Sequence, residues 1–248
     1  MGLSSKKIRI DKIMTDRGLA PSREKAQALV MAGVVFVGDQ RVAKPSEAYD
    51  DGVLLEIKGE DHPYVSRGGV KLRGALAAFG ISVKDKICLD VGASTGGFTD
   101  CLLQGGAKKV YAVDVGYGQF HQRLREDARV TLFERVNFRH WEGAPPEKVD
   151  LAVIDVSFIS LTKILPKTLP FLRRKGEILA LVKPQFELSP AEAKKGVVRS
   201  EALQRKAVLK IDAEAKNLGL EVLGEVKSNL QGPKGNQEYF LYLRNMRR

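Results

Sequence analysis

Asp90 and the run behind it, Gly92-Ala93-Ser94-Thr95-Gly96-Gly97-Phe98-Thr99, carry the densest chemistry in this 248-residue chain. An apolar stretch, Cys88-Leu89-Asp90-Val91, enters a glycine-rich turn that runs into a helix start. Glycines allow the tight turn and let a ligand approach the backbone. The helix aims its unpaired N–H groups and the positive end of its dipole into that turn. The spacing is not G-x-G-x-x-G, because Ser94 stands where the second glycine would fall, and no Lys-Ser/Thr pair follows as in a P-loop. An acid two residues before the first glycine suits a cofactor with a cationic amino group to pair and no phosphate to neutralise. By itself the run also reads as an ordinary βα turn.

Other reactive side chains fall at the ends of apolar runs. Asp114 follows Val110-Tyr111-Ala112-Val113, Asp155 follows Leu151-Ala152-Val153-Ile154, and Lys183 follows Ile178-Leu179-Ala180-Leu181-Val182. Ligands of open α/β sheets sit at such carboxyl ends. S-adenosylmethionine-binding sheets carry an acid before the glycine turn, as Asp90 does, and Asp114 is placed to accept hydrogen bonds from a ribose diol. Lys183, followed by Pro184, has an ammonium that burial would neutralise and nearby carboxylates would keep charged. A lysine snorkelling to solvent is the alternative. Lys71 and Glu238 can join this group only through the fold.

The elements that must position these residues follow from pattern. Ile8, Ile10, Ile13 and Met14 give an irregular apolar stripe on a short helix ending near Gly18. Ser22 caps a second helix bearing Ala26, Leu29 and Val30, which Gly33 stops. Strands are expected at Val34–Val37, Arg41–Val42 and Val53–Ile57, and the polar stretch 58–63 marks a junction. From Gly68 helices alternate with apolar strands, the mark of a parallel α/β sheet. Expected strands are Ile87–Val91, Val110–Asp114, Val130–Phe133, Leu151–Ile154, Ile178–Val182, Leu220–Lys227 and Glu238–Leu243, the last two antiparallel. Expected helices are Gly68–Phe79, Phe98–Gln104, Leu161–Leu172 and Glu201–Leu218. The sequence thus divides into a small α+β domain at 1–62, a linker at 63–67 and a Rossmann-like, mostly parallel seven-stranded α/β domain at 68–248 with a C-terminal antiparallel hairpin, the outline of a class I methyltransferase.

Charge narrows the partner. The chain has 41 Lys and Arg against 30 Asp and Glu, a net charge of +11. Such an excess favours a polyanion, because releasing counterions from phosphates drives nucleic-acid binding; a basic but otherwise ordinary enzyme is the bland alternative. Residues 1–62 hold ten basic and ten acidic residues, yet residues 1–25 alone hold seven basic and three acidic. A nucleic-acid surface is therefore expected on one face of the first segment and on a broad patch of the larger part. The two cysteines, Cys88 and Cys101, and the three histidines, His62, His121 and His140, have no metal-ligand spacing. With no apolar run of membrane-spanning length and no signal-like start, the expectation is a cytoplasmic, metal-free protein for which a monomer suffices.

Five blocks, in order, give the chain a specific likeness: Ser66-Arg67-Gly68-Gly69-Val70-Lys71-Leu72, the Asp90–Thr99 turn, Asp155-Val156-Ser157-Phe158-Ile159-Ser160, Val182-Lys183-Pro184-Gln185-Phe186-Glu187 and Gly235-Asn236-Gln237-Glu238. With Arg9-Ile10-Asp11, Gly18, Ser22-Arg23, Ala26 and Gly33–Gly38 ahead of them, the chain resembles the TlyA family, in which an S4-like RNA-binding domain precedes an FtsJ-like methyltransferase. The resemblance implies transfer of a methyl group from S-adenosylmethionine to a ribose 2′-hydroxyl, of a cytidine, in ribosomal RNA. It implies a catalytic Lys-Asp-Lys-Glu tetrad at Lys71, Asp155, Lys183 and Glu238, with Lys183 as proton acceptor or oxyanion stabiliser. It puts the cofactor on Asp90, Gly92, Ala93, Ser94, Thr95, Gly96, Gly97, Phe98, Asp114 and Asp155, and RNA on Arg9, Lys12, Arg17, Ser22, Arg23, Lys25 and Arg67. The expected partner is the ribosomal subunit, with no membrane and no metal.

Rival activities fit less well. Base amino-group enzymes carry an Asn/Asp-Pro-Pro-aromatic loop, which Asp155-Val156-Ser157-Phe158 is not. Carbon-5 base methylation needs a cysteine at a strand end, whereas Cys88 falls inside a strand and Cys101 inside a helix. A non-enzymatic ribosome-assembly factor would keep the charge without needing the tetrad. A membrane-active haemolysin, a label this family has carried, would need an amphipathic or spanning segment that the sequence does not offer.

Overall fold

The computed structural model describes residues 7–31, 33–57, 63–232 and 234–247. The chain divides into two compact units, Met1–Arg67 and Gly68–Arg248. Residues 58–62, where the sequence ends the first domain, lie outside the described residues, as do the first six.

In the first unit, α1 (Ile10–Asp16) packs on α2 (Arg23–Met31). Ile10, Ile13, Met14, Ala26, Leu29 and Val30 form its core with Val35. The Ser22 hydroxyl accepts the Lys25 N–H at 3.2 Å, satisfying one of the free donors of α2. Ile8, expected on the helix, instead lies in β1 (Lys7–Arg9), which pairs antiparallel with β4 (Ala48–Asp50), a strand the sequence did not suggest. The central three-stranded sheet joins β2 (Val35–Val37) to β3 (Gln40–Arg41) and β5 (Leu55–Ile57). That last strand starts two residues later than expected, because Val53 N–H closes a turn on Asp50 O.

The second unit opens with α3 (Arg67–Phe79), whose buried stripe of Leu72, Ala75 and Leu76 includes Lys71. Then come β6 (Ile87–Val91), α4 (Gly97–Gln104), β7 (Lys109–Val113), α5 (Gln122–Arg125), β8 (Val130–Phe133) and β9 (Val149–Ile154). The chain continues through α6 (Leu165–Thr168), β10 (Leu172–Val182), α7 (Pro184–Glu187), α8 (Glu201–Asn217), β11 (Leu220–Lys227) and β12 (Tyr239–Asn245). The seven strands lie in the order β8-β7-β6-β9-β10-β12-β11, with only β12 antiparallel to its neighbours. The inner registers of β6, β7, β9 and β10 are buried throughout, Asp90 included, so these strands are covered on both faces. The helix expected over Leu161–Leu172 is broken into two 3-10 turns around α6. Pro166 and Pro170 lack the N–H groups that a continuous helix would need.

The parallel strands end together, so Asp90, Asp114, Asp155 and Lys183 emerge at one edge of the sheet. Val91 lies opposite Ile154, and Asp155 N–H bonds Val91 O at 2.9 Å. Val182 lies opposite Tyr239, which brings Glu238 beside Lys183. No helix among the described residues is long and apolar enough to cross a membrane.

Gly92 is a packing requirement of this edge. Its φ is +87°, and a Cβ there would stand 2.3 Å from the carbonyl oxygen of Asp155. We expect Gly92→Ala to cost about 3–5 kcal/mol in urea unfolding, left-handed strain adding to backbone collision. Gly118→Ala, with φ +71° and nothing within 4 Å, should cost only about 1–2 kcal/mol. Equal losses would show that the Asp155 contact is unimportant.

Candidate active site and basic face

Four charged side chains converge from four elements. Lys71 on α3 donates to Glu238 at the start of β12 at 2.6 Å, and both are buried. Lys183 Nζ stands 2.5 Å from Asp155 Oδ1 and donates to Ser157 Oγ at 3.0 Å. Burial disfavours the Lys183 ammonium, but Asp155 and Glu238 outweigh it and hold its pKa above the ordinary lysine value. Lys183 is thus a cation between two carboxylates. The Lys183 ammonium and the Asp155 carboxylate form a close ion pair at the carboxyl edge of the sheet.

Asp90 is fully buried, and Thr99 donates to one of its oxygens at 2.7 Å. Its Oδ1 has no partner. Burial pushes its carboxyl up to about 7, with Asp155 and Asp114 adding to the effect against the Thr99 hydrogen bonds. Asp114 is engaged differently: it takes the Ser94 N–H at 2.8 Å on one oxygen, and Gly116 N–H at 2.6 Å and Gln119 Nε2 at 2.9 Å on the other. It therefore staples the glycine turn to the loop after β7. Ser94 at φ +50° and Gly96 at φ +95° shape that turn, and Gly97 opens α4 with Phe98 buried behind it. Ala93 is buried and Thr95 is half-buried, its carbonyl taking His121 N–H at 3.2 Å. A cavity of about 540 Å³ lies over the turn, bounded by Gly92, Ser94, Asp114, Asp155 and Ser157 and walled by Val113, Val136, Phe138 and Ile164. That volume suits a small organic molecule.

Sequence reasoning gave no role to several residues that hold this edge. Glu187 on α7 is buried, accepts Leu161 N–H at 2.8 Å and the Ser160 hydroxyl, and has Lys210 3.5 Å away. It fastens the loop carrying Asp155 to the turn carrying Lys183. Phe186 stacks obliquely on Phe158 with ring centres 5.0 Å apart. Phe158 has φ +63° and is 91 % exposed at the cavity rim. The only signal was that both segments belong to the quoted blocks, since pairing of Glu187 with Ser160 has no short-range period.

In the first unit, Asp11 is a buried hub that takes Arg9 at 2.8 and 3.0 Å, Arg23 at 3.1 Å and Gln27 at 2.9 Å. The Arg9 guanidinium holds the Asp11 carboxyl well below the usual carboxylate range, against burial and with help from Gln27 and Arg23. Lys12 pairs with Asp16 at 2.9 Å, and Arg17 donates to Val53 O at 2.6 Å. Arg9, Lys12, Arg17 and Arg23 are exposed, Lys25 and Arg67 are half-buried, and Ser22 serves as the helix cap. Among the described residues, no cluster of His, Cys, Asp and Glu is arranged to hold a metal. Burial pushes the Cys88 thiol up to about 12, so it offers no thiolate nucleophile.

Comparison with known proteins matches two family models. The FtsJ-like methyltransferase model covers residues 64–245, and the S4 domain model covers residues 8–54. The 16S/23S rRNA (cytidine-2′-O)-methyltransferase TlyA of Mycobacterium tuberculosis is 44% identical over 246 residues, 97% of this chain and 91% of that protein. Hemolysin A of Brachyspira hyodysenteriae is 41% identical over 238 residues, 95% of this chain and 99% of that protein. A solved structure from Streptococcus thermophilus, described as a hemolysin, has a TM-score of 0.76 at 45% identity and covers 98% of this chain and 90% of its own.

The raised Asp90 pKa makes a stability prediction. An acid of ordinary pKa 3.8 when unfolded and about 7 when folded costs stability once pH exceeds the unfolded value, and the cost is complete above the folded one. Asp90→Asn, which keeps the acceptor for Thr99, should stabilise the unliganded protein by about 1–4 kcal/mol at pH 8 and by nothing near pH 4. Denaturant unfolding at the two pH values reads this; a destabilised variant at pH 8 would show the carboxylate to be paid back by contacts not seen here.

Proposed function

This chain belongs to the FtsJ-like methyltransferases, and on that premise we propose that it methylates a ribose 2′-hydroxyl, of a cytidine, in ribosomal RNA, with S-adenosylmethionine as donor. The observation that carries the reading is the convergence of Lys71, Asp155, Lys183 and Glu238 beside a cavity floored by the glycine turn. The fit to the donor is chemical. Asp90 has a buried carboxylate oxygen without a partner, suited to a cationic amino group, and Gly92 and Ser94 of the turn line the cavity. Gly92, Ala93, Ser94, Thr95, Gly96, Gly97, Phe98, Asp114 and Asp155 would form the rest of the donor's site. When bound, S-adenosylmethionine supplies a methyl group already activated by its sulfonium.

The chain's own residues then have to align one hydroxyl and take one proton. Asp155, paired with Lys183, holds that side chain in place at the strand ends. Lys183 holds its proton in the resting enzyme. The donor's positive charge, were it bound in the adjoining cavity, would oppose that ammonium and favour release of the Lys183 proton to solvent, leaving a neutral amine to accept the hydroxyl's proton. Lys71 pairs with Glu238 and so offsets part of the negative charge that helps to keep Lys183 protonated. Phe158, exposed at the rim, offers a face on which a splayed base can stack. Arg9, Lys12, Arg17, Ser22, Arg23, Lys25 and Arg67 supply RNA contacts ahead of the catalytic unit. A ribosomal substrate would make the cytoplasm its place of action.

Lys183→Ala should lower single-turnover methyl transfer by about 10²-fold or more while leaving donor affinity, read by calorimetry, within threefold. Full transfer by that variant would remove Lys183 from the chemistry. The pH dependence separates the proton acceptor from a passive cation. The free enzyme's profile, kcat/KM for the donor, should climb beyond pH 9, because Lys183 is held above its ordinary value. The single-turnover rate of the fully loaded enzyme should level off at least about one pH unit lower. Coincident profiles would exclude proton acceptance by Lys183.

A further inference from the structure

Part of the basic excess of the second unit is concentrated where two segments meet. The loop from α7 to α8 carries Lys194, Lys195 and Arg199, and the turn between β11 and β12 carries Lys234. All four are exposed, and none has an ion-pair partner among the described residues. The two segments meet: the Lys234 ammonium is 3.6 Å from where a Cβ on Gly196 would stand. Beside this loop, Lys206 holds Glu192 at 2.6 Å.

The loop is a fixed platform rather than a solvated run of charge. Asn236, itself buried, accepts Val198 N–H at 2.8 Å and donates to Gly196 O at 2.9 Å. Gln204, also buried, donates to Val198 O at 2.9 Å. Lys195 is held at φ +54°, a conformation that non-glycine residues rarely adopt. A groove of about 660 Å³ runs along it, bounded by Glu192, Lys194, Lys195 and Arg199.

Its position connects it to the reacting edge. The loop follows Lys183 by way of α7, and the turn precedes Glu238 by two residues from Asn236. The Gly232 backbone lies so close that a Cβ there would meet the Glu238 carboxylate at 2.4 Å. The loop and the turn thus lie at the carboxyl edge of the sheet, the edge that also carries Lys183 and Glu238.

We propose that Lys194, Lys195, Arg199 and Lys234 form a binding surface for the phosphodiester backbone of the RNA strand flanking the nucleotide that is modified. This rests on the reading of the protein as an RNA ribose methyltransferase. Phosphate contacts fix register without reading sequence, so the surface would set where along the strand the hydroxyl meets Lys183. Preorganisation by Asn236 spares the ordering cost that free lysines would incur on binding.

The test uses the full-length protein and protein-free ribosomal RNA purified from cells lacking this methyltransferase. The variant is K194Q/K195Q/R199Q/K234Q, with K194R/K195R/K234R as the charge-preserving control. We expect RNA affinity to fall about tenfold or more at physiological salt, and the slope of log K against log salt to drop by about three. Donor affinity and the transfer rate at saturating RNA should stay within twofold, and the arginine control should match the wild type. Unchanged RNA affinity and slope in the glutamine variant, with wild-type methylation intact, would overturn the proposal. So would loss of binding to vesicles containing phosphatidylserine with RNA binding unaltered, which would make the surface a membrane contact. If the wild type binds RNA through these residues but transfers no methyl group, the enzymatic reading fails and the surface stands.

Discussion

The placement of Lys183 between Asp155 and Glu238 is the constraint on which the catalytic unit is built. Charges removed from water must be paired closely, or the cost of burial exceeds any gain. Here the pairs are Lys71 with Glu238 and Lys183 with Asp155, and Glu238 also acts on Lys183. No short segment can supply this set. It requires α3 to lay a lysine in its apolar stripe, β9 and β10 to end side by side, and an antiparallel β12 to begin where β10 stops. The inverted strand is thus more than a sheet edge: a parallel one would end, rather than begin, beside Lys183.

The same edge treats its carboxylates in opposite ways. Asp114 is surrounded by donors and serves as a staple. Asp90, a few residues away across the turn, has one donor for two oxygens and a pKa pushed up to about 7 by burial. A protein optimised only for folding would place an amide or an apolar residue there. Holding a destabilising carboxylate in the strand that leads into the glycine turn makes sense where a cationic group recovers the cost on binding, since a ligand that binds only the native state stabilises it. The stability lost in the empty protein is then affinity gained for the ligand.

The sequence showed the elements well where pattern is local and poorly where it is not. The strands expected at Ile87–Val91, Val130–Phe133 and Leu220–Lys227 from their apolar and β-branched content coincide with β6, β8 and β11. The run Leu161–Leu172 has the composition of a helix, but two prolines divide it, and backbone hydrogen-bond supply outweighs apolar content. The candidate site follows the same division. Asp90, Asp155 and Lys183 are visible because each ends an apolar strand. Lys71 and Glu238 are 167 residues apart, and only their place in recognisable blocks singles them out. Glu187 was passed over because its work is tertiary: it joins two loops whose meeting depends on β9 and β10 being neighbours.

The two basic surfaces are made by different physics, and the difference suits different tasks. In the first unit, Asp11 draws Arg9 and Arg23 onto one buried carboxylate, which fixes both guanidinium planes but offsets part of their charge. Guanidiniums set in this way can meet phosphate in a defined, two-pronged geometry. In the second unit, Lys194, Lys195, Arg199 and Lys234 keep full charge on a backbone that Asn236 holds still. Their side-chain ends are free to follow a phosphate chain of variable path. Joining the two on one chain makes the second engagement intramolecular, so even weak individual surfaces can give high avidity when the linker permits both. Geometry from one unit and charge from the other would let an enzyme whose chemistry is indifferent to base identity still act at one place on a large RNA.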